Sequence, residues 1–167
     1  METKTRKITR LAIIAGLYAA LTIVFSFISY GEKQVRLSEM LIILCFFSKD
    51  YILSLTFGCL IANVFSPFGI ADCIFGTLAT FLSAIFIYIS RRYFKFGLFA
   101  SCLWPVLFNG IIVGIEIAVL SDVSIGLSIL YVLAGELIAM MIGYFVMKIL
   151  SKKQYFLELI KEDIDLL

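Results

Sequence analysis

Long apolar runs alternate with short polar clusters along this chain. Charges gather at the N-terminus, at Lys49-Asp50, at Arg91-Arg92 and from Lys148 onward, with Gly, Pro and Ser turns between them. These breaks divide the apolar sequence into six segments, 9–29, 37–47, 51–65, 70–89, 96–120 and 124–150. Uncharged runs near 20 residues suit helices that cross a bilayer. The pattern predicts an all-α membrane protein, a six-transmembrane-helix bundle in a single integral membrane domain over 1–167. The second and third segments are short. At about 1.5 Å per residue neither spans a hydrocarbon core of ~30 Å. They are expected to start inside the interface or to pack as a hairpin lined by protein. Residues 154–167 (QYFLELIKEDIDLL) are acidic and mildly amphipathic, and are expected to form a short cytoplasmic tail with an interfacial helix.

Composition strengthens the membrane reading. The chain is 62% hydrophobic with a mean hydropathy of +1.08, against about 45–50% apolar residues in soluble domains. A length of 167 residues allows one bundle and no second domain. The basic start and following apolar run have the outline of a signal peptide. The run from Leu11 to Ile28 is too long for one, and no cleavage motif precedes a polar mature region, so it reads as a retained first span. With the N-terminus in the cytoplasm, the connections alternate. Of the 14 Lys and Arg residues, all except Lys33 and Arg36 then fall on the cytoplasmic side of the cell membrane. The positive-inside rule therefore predicts that both termini are cytoplasmic.

Several chemistries drop out. His is absent, which removes the commonest general base and metal ligand. Cys45, Cys59, Cys73 and Cys102 lack C-x-x-C spacing and read as small apolar residues. The chain has no Walker-type phosphate loop, metal signature or nucleophile–base pair. The expectation is a protein that is not an enzyme, with no metal or cofactor of its own and no nucleic-acid partner.

Four carboxylates, Glu39, Asp72, Glu116 and Glu136, interrupt the apolar spans. An acid at mid-membrane costs roughly 2.5–3.5 kcal/mol, so four at that depth would cost about 10 kcal/mol. The topology sorts them by depth. Gln34, Arg36 and Glu39 lie at the first outer loop and the start of the second span. Asn63 and Asp72 flank the outer Ser66-Pro67-Phe68-Gly69 turn. Glu116 lies one turn below the outer end of the fifth span, with Asn109 two turns further down the same face. Glu136 lies near mid-membrane. Convergent polar groups in an apolar bundle describe a small-molecule pocket. Trp104, Phe108 and Tyr30 are candidates for an aromatic wall. Local roles stay open: a helix cap for Asp72, backbone service for Asn63, snorkelling for Arg36, simple packing for the aromatics. A second pattern marks the first span. Ala12, Gly16 and Ala20 repeat every four residues with Ala15 and Ala19 beside them, a face on which another helix can approach closely.

Three stretches then carry a resemblance: Gln34-Val35-Arg36-Leu37-Ser38-Glu39; Gly58 to Asn63 followed by Pro67 to Asp72 and Phe75 to Thr80; and Trp104-Pro105 with Asn109-Gly110, Gly114, Glu116 and Gly135-Glu136. With the small-residue first span, the chain resembles the substrate-binding (S) component of energy-coupling factor (ECF) transporters, within that group the queuosine-precursor type, QueT. The resemblance implies substrate capture in an outward-open pocket. It also implies docking through Ala12, Ala15, Gly16, Ala19 and Ala20 on a transmembrane coupling protein, with two partner ATPases using the ATP. The implied ligand is a deazaguanine base, preQ1 or queuine. The implied binding residues are Gln34, Arg36, Glu39, Asn63, Asp72, Trp104, Asn109, Glu116 and Glu136. A guanine-like edge offers adjacent N–H donors that a carboxylate can accept, and a cationic aminomethyl group wants a second carboxylate. The alternatives are an S component for another small vitamin-like molecule and a standalone proton-coupled carrier.

Overall fold

The computed structural model describes residues 4–31 and 33–160. Among these residues every regular element is helical. Four helical segments are long and apolar enough to cross a membrane. They are α1 (Lys4–Val24), α4 (Ile70–Phe94), the pair α5 (Leu98–Ser101) and α6 (Leu103–Ser121), and α7 (Ile125–Leu150). A short turn of helix, α2 (Ser26–Ser29), follows α1, and α8 (Gln154–Ile160) follows α7. The two short apolar segments are a 3-10 helix, η1 (Leu37–Phe46), and α3 (Asp50–Asn63).

The segment boundaries differ from the expected ones for local reasons. The expected single helix over 9–29 begins earlier, at Lys4, and breaks at Phe25. The β-branched run Thr22-Ile23-Val24 weakens helix propensity there, and Thr22 Oγ1 bonds back to the Tyr18 carbonyl at 3.0 Å, a contact that bends helices. The fifth segment breaks at Cys102. Pro105, which has no N–H to give the Ser101 carbonyl, then sits in the first turn of α6, where that loss is tolerated. Helix α4 runs on through Arg91-Arg92 to a left-handed Lys95, whose φ is 54°. The Phe96 N–H reaches back to the Ser90 carbonyl at 3.0 Å and closes the end.

Helices α1, α3, α4, α6 and α7 pack in succession, each against the next, except that α7 and α1 are joined through η1. The 3-10 helix touches α7, α4, α1 and α3 and is the central element of the bundle. Its residues Leu41 to Cys45 are buried on every side, which explains why no amphipathic face was legible in it. A 3-10 helix rises about 2 Å per residue, so ten residues cover ~20 Å rather than ~15 Å. Along α7, Gly135, Ala139 and Gly143 form the seat for this chain segment. A Cβ at Gly143 would lie 2.7 Å from Ile43 Cδ1 and 3.0 Å from Met40 Cα, and one at Gly135 would run into the Gln34 carbonyl oxygen. Outward-facing Ile13, Leu53, Phe57, Ile74, Ile111 and Ile138 are exposed, as suits side chains that meet lipid rather than water.

The two ends of the bundle are chemically distinct. At one, Lys7 pairs with Asp50 at 2.6 Å. There also Arg10 donates to the Leu159 carbonyl at 2.6 Å, and the Arg91 guanidinium lies 4.7 Å from the Phe46 ring centre. The start of α1, the turn after η1, the end of α4 and helix α8 therefore share that end. The part of the expected tail after residue 160 lies outside the described residues. At the other end the Tyr30 hydroxyl donates to the Ala62 carbonyl at 2.6 Å, and Lys33 lies over the Tyr131 ring at 5.1 Å.

Candidate functional site

Five helices and the segment before η1 bring the polar residues together below the Tyr30 end. The segment before η1 carries Gln34 and Arg36, η1 carries Glu39, α3 carries Asn63, and α4 carries Asp72. Helix α6 carries Asn109 and Glu116, and α7 carries Glu136. All eight side chains are buried. On α6, Asn109, Val113 and Glu116 follow an i, i+4, i+7 pattern, so one inward face presents all three. On α4, Asp72, Gly76 and Thr80 do the same at a spacing of four.

A small cavity is lined by Gln34, Arg36, Glu39, Asn109, Val113, Val132 and Glu136. Its free interior is about 10 Å³, room for roughly one water molecule. The segment above it is docked tightly: the Gln34 carbonyl abuts α7 at Gly135, and the Val35 N–H reaches the Ile28 carbonyl at 2.6 Å. Gly31, with φ of 106°, supplies the backbone turn that brings the segment over the cavity.

Arg36 lies at the centre. It is 5% exposed, so it is inside the bundle rather than snorkelling. Its guanidinium lies 5.7 Å from the Tyr30 ring centre and 3.5 Å from Gln34 Oε1, so Tyr30 backs the arginine. The charge of Arg36 acts on all four carboxylates, but none of these four comes within ion-pair contact of it. Arg36 and Glu39, three residues apart in sequence, make no direct ion pair. Glu39 instead accepts from the Tyr18 hydroxyl and from Thr80 Oγ1 at 2.9 Å. Asp72 is no N-cap: Gly69 holds that position, and Asp72 accepts from Ser66 Oγ, which itself accepts the Phe68 N–H at 3.1 Å. Asn63 gives its amide N–H to the Asp72 carbonyl at 2.9 Å.

Several buried side-chain atoms of these eight residues have no hydrogen-bond partner among the described residues. They are Glu39 Oε2, Asn63 Oδ1, both amide atoms of Asn109, both oxygens of Glu116 and Glu136 Oε1. Asn109 stands beside both Glu39 and Glu136, and Glu116 stands beside Asp72. Such atoms are rare in folded proteins and call for an explanation. Apart from the Asn109 amide nitrogen they are all acceptors, so what would complete the site is a molecule rich in N–H donors.

Trp104 stands apart. It precedes Glu116 by twelve residues on α6, about 18 Å along the axis. Its indole N–H donates to Ser90 Oγ at 2.8 Å, and its ring packs on Phe86 and Phe108 at 5.0 and 6.0 Å. The small residues of α1 divide into two sets. Ala15 and Ala19 turn inward, and a Cβ at Gly58 of α3 would lie 2.6 Å from the Ala15 carbonyl oxygen. Ala12, Gly16 and Ala20 are exposed on the adjoining stripe of the same helix. Sequence reasoning missed Tyr18, Thr80 and Ser66, which hold the carboxylates. Only the four-residue spacing from Asp72 pointed to Thr80.

Comparison with known proteins bears on this arrangement. The family model for the QueT transporter matches residues 8–152. The chain is 32% identical to the Queuosine precursor transporter QueT of Lactococcus lactis subsp. cremoris (strain MG1363), over 91% of this chain and 96% of that protein. No solved structure gives a significant match. The chain is a multi-pass membrane protein and belongs to the QueT transporter family.

Proposed function

We propose that this protein is the substrate-capture subunit of an ECF-type importer and binds a queuosine precursor, preQ1 or queuine, in a pocket open to the outside. The observation that carries the reading is the surplus of buried acceptors around Arg36. A deazaguanine edge supplies N–H donors to Glu39 and Glu136 and a carbonyl to Arg36 or Asn109. The name of the Lactococcus lactis relative points to the same substrate class. In this reading Gln34, Arg36, Glu39, Asn63, Asp72, Asn109, Glu116 and Glu136 contact or position the ligand, whereas Trp104 braces the far end of α6. A cavity of about 10 Å³ is far smaller than a bicyclic base, so the segment from Lys33 to Arg36 moves when ligand enters.

The chain forms one membrane domain with six spans and both termini in the cytoplasm. In support, the N-terminal end of α1 and helix α8 meet at the Arg10–Leu159 contact. A transmembrane coupling protein docks on the exposed Ala12-Gly16-Ala20 face of α1. Two partner ATPases supply the energy, and this chain carries no cofactor. Calorimetry on the purified protein in detergent tests the substrate: preQ1 or queuine binds, and Glu136→Gln weakens that binding by roughly tenfold or more, the scale of a lost hydrogen bond to a buried charge. Absence of binding to both bases rejects the assignment.

A further inference from the structure

The buried polar groups fall into two lobes of different chemistry. The cavity lobe mixes donors and acceptors. Arg36 and the Asn109 amide nitrogen donate, Glu39 Oε2 and Glu136 Oε1 accept, and Val113 and Val132 supply apolar walls. Such a mixture reads the edge of a flat heterocycle. The second lobe, Asn63, Asp72 and Glu116, offers acceptors to a ligand. Asn63 spends its N–H groups on the Asp72 carbonyl at 2.9 Å and Thr77 Oγ1 at 3.3 Å, leaving its Oδ1 unpartnered. Glu116 is 6% exposed, and neither of its oxygens has a partner. The missing side chain of Gly76 lets these groups draw together: a Cβ there would lie 2.9 Å from the Asn63 amide nitrogen, 3.5 Å from Asp72 Oδ1 and 3.6 Å from Arg36 Nη1. Two adjacent acids with a spare amide oxygen suit a group that only donates and carries positive charge, and an ammonium has three N–H donors and no acceptor.

We propose that the Asn63–Asp72–Glu116 lobe is an ammonium subsite, in which Glu116 sets the preference for amine-bearing over neutral bases. The inference rests on the deazaguanine reading of the cavity lobe and adds the requirement for charge. Glu116 and Asn109 are seven residues apart on α6, about 10 Å along the axis. The ligand therefore carries its amine on an arm that leaves the ring edge and passes Arg36.

Calorimetry with two probes tests this: a deazaguanine bearing an aminomethyl arm, and the same ring without the amine. Wild-type protein binds the amine at least about tenfold more tightly, the scale of a charge-assisted hydrogen bond. Glu116→Gln brings the two affinities to within about threefold by weakening the amine alone. Its retained binding of the neutral ring also shows that the variant is folded. Glu136→Gln weakens both probes and leaves their ratio unchanged. An unchanged ratio in Glu116→Gln, loss of both probes in that variant, or equal wild-type affinities overturns the subsite while leaving the deazaguanine reading intact. If neither probe binds wild-type protein, the deazaguanine reading fails and the subsite fails with it.

Discussion

Gly76 separates the polar side chains that matter most to the site. An added Cβ would lie 2.9 Å from the Asn63 amide nitrogen, closer than side chains tolerate, with Asp72 and Arg36 just beyond. Asn63 cannot give way without losing its bond to the Asp72 carbonyl. Gly76→Ala is therefore expected to weaken ligand binding by about tenfold or more while lowering stability by roughly 1–3 kcal/mol, the usual cost of overpacking. Titration of the variant alongside its thermal unfolding separates the two effects. Carboxylates of this kind are legible in a sequence because an acid inside an apolar run is an anomaly. Their partners are not. Tyr18, Ser66 and Thr80 are hydroxyl residues of a kind any membrane protein carries, and only Thr80 is set apart, by its place two turns after Asp72 on one face of α4. Arg36 was half legible. Its charge marked it, but its burial over Tyr30 follows from how the Gly31 turn folds back onto α7.

At the scale of elements, the seating of η1 on α7 decides whether the cavity exists. Gly135 and Gly143 let the backbone at Gln34 and Met40 approach α7, and Glu39 projects from the same 3-10 helix into the site. Gly143→Ala places a methyl group 2.8 Å from Met40 Cβ and 3.0 Å from Met40 Cα. Backbone cannot swing aside as a side chain can, so this variant is expected to lose roughly 1–3 kcal/mol of stability and to bind ligand more weakly. Gly16→Ala offers the matched comparison. Its Cβ meets nothing within 4 Å, and the change from Gly to Ala inside a helix favours folding by about 0.5–1 kcal/mol. Unfolding midpoints of the two variants in the same detergent should move in opposite directions. A fall in both would mean that α1 is packed differently from the arrangement described. The four long helices were readable from apolar run length alone. The 3-10 character of 37–46 was not, because a segment buried on every side shows no period, and its pitch is set by neighbours distant in sequence.

At the scale of the whole molecule, the two ends differ in charge as well as in structure. Lys7, Arg10 and Arg91 are anchored at the end that carries the start of α1 and helix α8. Lys33 lies over Tyr131 at the other. A membrane with its basic side inward would orient this bundle with the ligand site facing out, and the same polarity decides whether the site can capture anything from outside the cell. Thiol labelling in intact cells tests it. Cys45, Cys59 and Cys102 are buried, so replacing Cys73, the more accessible one, by Ala gives a quiet background. In that background Lys33→Cys should react with a membrane-impermeant maleimide added outside, and Lys152→Cys only after the membrane is permeabilised. The reverse pattern would turn the site toward the cytoplasm, and the capture role would then have to be abandoned whatever the purified protein binds. Labelling of both from outside would mean an even number of spans between them. In that case α3 or η1 stops short of the far interface, as helices covering only about 20 Å of a ~30 Å core could do.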